Sequence, residues 1–148
     1  MGAVMETISD HTARRATSLL WVHAGLFGVI ALACFLWPET AFGDAAWLPL
    51  SRLSALLFAA ALVAVIILLV GSIRAGTVGA ISLALLAALA LDVQMPVLMF
   101  SQPASLEHMH TGVGVPWFVL PLISFVLVGL NVHCLLRIKR ERRGATAG

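Results

Sequence analysis

Asp92 stands inside an otherwise apolar stretch, and Met95 and Met99 follow it at three and seven residues. At about 100° per residue, that spacing keeps the carboxylate and both thioethers within about 60° of one helical face. Beyond them come Glu107, His108, Met109 and His110 in direct succession. Thioethers and imidazoles are soft and borderline ligands that suit copper, Cu(I) above all, so Asp92, Met95, Met99, His108 and His110 form a candidate metal set. Pro96 adds a further feature, because a helical proline leaves the carbonyl four residues back, that of Asp92, without its usual amide donor. The plainer alternative is that the methionines pack between helices and the two histidines are solvated.

Two other pairings follow from residue type and place. His23 and His133 each lie in a long apolar stretch. Were their helices neighbours, the two rings would be a candidate axial pair for haem b. Arg52 begins another apolar stretch, and its long stem lets the guanidinium reach inward. A charge at the centre of a bilayer costs from about 2.5 kcal/mol upward, so Asp92 is expected to form an interhelical ion pair with Arg52. Asp92 also has a functional reading, as a carboxylate that handles protons or cations, and a third as a carboxyl kept neutral by apolar surroundings. The Met95 and Met99 spacing resembles the methionine-x-x-x-methionine element of membrane copper-uptake channels. That likeness covers five residues, and such channels have three spans per subunit.

Four apolar runs must position these residues: about 18–37, 48–70, 78–100 and 115–136. A hydrocarbon core about 30 Å thick requires about 20 apolar residues as a helix, and backbone within it must satisfy its own hydrogen bonds. The composition agrees: 61% of residues are hydrophobic and 11% charged, against roughly 25% charged in a soluble domain. The expected fold is therefore all-α, an integral membrane four-helix bundle in a single domain, with 1–13 and 144–148 flexible. A cleaved signal peptide is the competing account of the first run, since Arg14 and Arg15 precede it as in a loose twin-arginine leader. That run is too long, and no small-x-small cleavage site follows it.

Cations set the expected orientation. Arg14 and Arg15 precede the first run, Arg74 lies between the second and third, and Arg137, Lys139, Arg140, Arg142 and Arg143 follow the fourth. The segments 38–47 and 101–114 contain no Lys or Arg. The positive-inside rule then places both termini in the cytoplasm, with a bacterial inner membrane as the expected site, and Trp21 and His23 near its inner surface. Cys34 and Cys134 fall at opposite ends of the bundle and are not expected to pair. Small residues give smooth faces, with Gly76, Ala80, Ala84 and Ala88 recurring every fourth residue, Ala55, Ala59 and Ala60 on the second run and Gly25 and Gly28 on the first. Such faces suit close helix packing in lipid, within the chain, between copies or with another protein.

No nucleophile, base and orienting acid occur at interpretable spacing, so the residues give no support for an enzyme. The short basic run does not suit nucleic acid. What remains is an accessory or assembly subunit of a larger membrane complex. The alternative is a small transporter, or a copper- or haem-handling protein that uses the Asp, Met and His cluster.

Overall fold

The computed structural model describes residues 8–36, 52–100 and 115–146. Its four helices are α1 (Asp10–Leu36), α2 (Arg52–Ala75), α3 (Val78–Phe100) and α4 (Val115–Thr146). Three are long and apolar enough to cross a membrane: α1, the Leu56–Ala75 part of α2 and the Leu122–Ala145 part of α4. The fourth, α3, is helical over 23 residues and apolar through its described part, Val78–Gln94.

α1 begins well before its apolar stretch, because Ser9 and Asp10 supply a helix start. The Ser9 hydroxyl accepts from the Thr12 backbone N–H at 3.4 Å, the Ser9 carbonyl receives the Ala13 N–H at 3.0 Å, and Asp10 adds negative charge to the first turn. In a capping box, an acid in the helix's own first turn accepts the N-cap N–H. Here Glu141 of α4 takes that part. Its Oε2 accepts the Ser9 backbone N–H at 2.8 Å, and its Oε1 accepts the Thr12 hydroxyl at 2.7 Å, with the Ser9 hydroxyl 3.0 Å away. The polar end of α1 is thus latched to the basic end of α4, and residues 10–13, expected to be flexible, are helical. Thirteen residues of α1, Asp10 to Val22, precede His23, or about 20 Å of helix, so Trp21 and His23 lie near the middle of α1.

A two-residue link joins α2 to α3. Gly76 adopts φ 64° and its N–H bonds the Ser72 carbonyl at 3.2 Å, the left-handed helix stop that glycine adopts without a Cβ clash. Thr77 then caps α3, its hydroxyl accepting the Ala80 N–H at 3.3 Å.

Two of the chain-adjacent pairs, α1 with α2 and α3 with α4, share the broadest contacts. α2 meets α3 less extensively, and α1 touches α3 and α4 along narrow seams. Buried positions alternate three and four apart: Ala16, Leu20, His23, Phe27 and Cys34 on α1; Ala59, Leu62 and Leu69 on α2; Ile81, Ala84, Ala88 and Asp92 on α3. On α4 the same stripe reads Ser124, Leu127, Asn131, Cys134 and Ile138. That period keeps one seam facing its partner, as in left-handed bundles. Of the small residues, Ala59, Ala84 and Ala88 are fully buried in these seams. At Gly25, Gly28 and Gly79 an added Cβ would meet nothing within 4 Å, so within this chain they are not close-packing positions. The larger apolar side chains, among them Val29, Leu57, Ile67 and Leu122, point outward, a surface suited to contact with lipid.

The latch generates the first prediction. Replacing the buried Thr12 by Val is expected to cost about 1 kcal/mol, read as a lower unfolding midpoint in mild detergent. Hydrogen bonds from Thr12 and then from the Ser9 N–H hold the Glu141 carboxyl below the usual glutamate range. Its stabilisation is therefore complete above the unfolded-state pKa and is lost as pH falls through the lower folded value. Glu141→Gln should remove this acid dependence. Wild type and variant softening in parallel below about pH 4 would contradict the assignment.

Candidate functional site

The helix seams carry three polar side chains into one place. His23 of α1, Asp92 of α3 and Asn131 of α4 are 0%, 2% and 0% exposed. Each occupies a position that the three-four spacing assigns to the core, which is why helices packed on apolar neighbours bring them together. The His23 Nε2 lies 2.9 Å from Asp92 Oδ2. Asn131 Nδ2 donates to that same oxygen at 2.8 Å and lies 3.2 Å from His23 Nε2. The other ring nitrogen, Nδ1, is 2.8 Å from the Leu19 carbonyl, and Phe27 meets the ring edge-on at 5.6 Å between centroids. Pro96, one turn beyond Asp92, lies inside α3 and is buried.

Proton bookkeeping constrains the chemistry of this cluster. A carbonyl only accepts, so His23 Nδ1 must carry a proton. One further proton can sit between Nε2 and Oδ2. On the nitrogen it makes an imidazolium and carboxylate; on the oxygen, a neutral imidazole and carboxylic acid. Both forms have zero net charge and satisfy the 2.9 Å contact. Loss of that proton would set two lone pairs against each other. The two hydrogens of Asn131 Nδ2 are within reach of both acceptors, so the amide can bridge them when the proton departs. The Asn131 Oδ1, also buried, has no hydrogen-bond partner among the described residues.

The structure brings together some sequence candidates and not others. His23 and Asp92 meet, and they belong to different sequence expectations. Asn131, which no sequence motif marked, completes the site; its place on the α4 stripe is the signal that finds it. His133 is exposed on α4, and His23 has both nitrogens engaged, so the two do not form a facing axial pair. The described partners of Asp92 are His23 and Asn131, while the side chain of Arg52 lies outside the described residues. So do the side chains of Met95 and Met99 and all of His108 and His110. Among the described residues no group of three or more His, Cys, Asp or Glu could hold a metal ion. Cys34 and Cys134 are buried and free.

Fold and site define a helical protein with an apolar exterior and a buried protonatable junction. No family model, curated protein or solved structure matches this chain.

The energetic weight of the junction is measurable by a double-mutant cycle with His23→Leu, Asp92→Leu and the double variant. Interhelical hydrogen bonds in membrane proteins average about 0.6 kcal/mol of coupling. Removing one partner of a buried ion pair costs about 3–5 kcal/mol, because the other charge is stranded. The coupling here is expected to exceed about 1 kcal/mol, with the double variant more stable than Asp92 alone facing leucine. Additive single effects would show that the contact carries no specific weight.

Proposed function

We propose that this chain is a small four-span integral membrane protein with both ends in the cytoplasm of a bacterial cell, and that it acts as a proton-coupled transporter. The working residues are His23, Asp92 and Asn131. The observation that carries this reading is the 2.9 Å contact of a buried His23 with a buried Asp92, with the Asn131 amide within reach of both. Three arguments support it. A buried ion pair is a poor source of net stability beside well-packed apolar residues, so stability alone does not account for it. Ionisable groups at membrane depth mark proton and substrate pathways by default. Finally, the cluster joins the α1–α2 hairpin to the α3–α4 hairpin at a narrow seam, so its protonation state biases how the two halves sit together. The Asp92 carbonyl freed by Pro96 gives α3 a place to flex at the site.

The second reading is an accessory or assembly subunit in which the cluster serves only as a lock. It is favoured by the outward apolar side chains of α2, such as Leu53, Leu57 and Ile67, and by the open space around Gly25 and Gly28, which a partner helix would fill.

Purified protein in liposomes with an internal pH-sensitive dye separates the two. Under an imposed pH gradient, proton flux above that of empty liposomes is expected, reduced at least about tenfold in Asp92→Asn and in His23→Gln, as loss of an essential proton carrier requires. Folded wild-type protein with no flux above empty liposomes, recovered from its native membrane in a defined heteromer, would establish the accessory reading.

A further inference from the structure

At the arginine-bearing end of the bundle, α1 and α4 border an open hollow of about 450 Å³. Its α1 side is formed by His11, Arg14, Arg15 and Ser18, whose spacing of three, one and three places them along one helical face, apart from the buried stripe of Thr12, Ala16 and Leu20. From α4 come His133 and Leu130. The polarity of the lining is graded along the helix axes. His11, Arg14 and Arg15 lie in the first six residues of α1, whereas Val22 lies about 12 Å further toward the bundle middle. α4 runs the opposite way, and its Leu130 lies on the middle side of His133. Among the described residues no carboxylate lines the hollow. The nearby Glu141 is engaged by Ser9 and Thr12.

Cations at one end of an open hollow and apolar side chains at the other match one chemical class, an amphiphile with an anionic head. We infer that this hollow binds a single anionic phospholipid from the leaflet at the arginine-bearing end. Its phosphate lies against Arg14 and Arg15, whose planar guanidinium forks suit phosphate oxygens. One acyl chain follows Val22 and Leu130 toward the bundle middle. Because the hollow is walled by α1 and α4, the lipid bridges the first and last helices at the same end as the Glu141 latch. This inference requires lipid contact alone and is independent of proton transport.

Native mass spectrometry of the full chain from mild detergent, with dioleoylphosphatidylglycerol or dioleoylphosphatidylcholine added, tests it. The wild type should retain the anionic lipid at least about fivefold better, the preference expected from even one cation beside an anionic headgroup. R14Q/R15Q should lose that preference. R74Q/R140Q, with the same change in charge away from the hollow, should keep it. Leu130→Trp, which fills the apolar arm and leaves each cation in place, should lose retention while the protein stays monodisperse and helical. Equal losses in the two double variants would reduce the effect to bulk charge and overturn the site, as would unchanged retention in Leu130→Trp. Tight binding of inorganic phosphate with no preference between the lipids would identify a bare anion site and overturn it as well.

Discussion

The contact of His23 with Asp92, under the amide of Asn131, constrains the rest of the structure. Apolar seams permit helices to slide and rotate with small loss, since one methyl-lined groove resembles the next. A buried carboxylate does not permit this, because moving it one residue along its partner strands it in an apolar medium. The junction therefore fixes the register of α1, α3 and α4 together. Among the described side chains α2 contributes no polar group to it, and α2 is positioned by packing on α1 and by the short Gly76 connection. Three helices are set by polar matching, and the fourth by chain connectivity and shape.

The latch at the end of the bundle follows the same logic in a wetter setting. Thr12 lies on the buried α1 stripe extended toward the chain start, and Glu141 on the α4 stripe extended past Ile138. The seam that brings His23 to Asn131 at mid-bundle thus continues to the helix ends. There its occupants become a hydroxyl and a carboxylate, which the helix start of α1 requires. The hollow lined by Arg14 and Arg15 lies on the neighbouring face of α1, so one helix presents a core stripe, a capping group and a cationic groove within its first three turns.

Much of the fold was legible in the sequence. Apolar runs and their lengths gave four helices, and the 78–100 run coincides with α3. The helix ends were less legible where polar residues continue a helix. Residues 10–13 read as a flexible arm because the start of their helix is held by Glu141, more than a hundred residues away, and no local pattern encodes that partner. The site was legible in part. Asp92 stood out as a charge in an apolar run, and His23 as a histidine in another. Their pairing did not, since it follows from which helices are neighbours, and the seam between α1 and α3 joins segments that are not adjacent in the chain. The glycines of α1 show the converse, because a smooth face in the sequence signals close approach without saying to what.

On the proposed membrane reading, the order of His23, Asp92 and Asn131 along the chain gives biogenesis a direction. During synthesis α1 and α2 are available first, and the two-residue Gly76–Thr77 link then delivers α3, so of the two described partners of Asp92 only His23 is present when it enters lipid. Asn131 emerges last, and its amide caps a pair that has already formed. Insertion of the third helix thus depends on the first having waited nearby, and the fourth closes an assembly whose charged centre was neutralised one helix earlier.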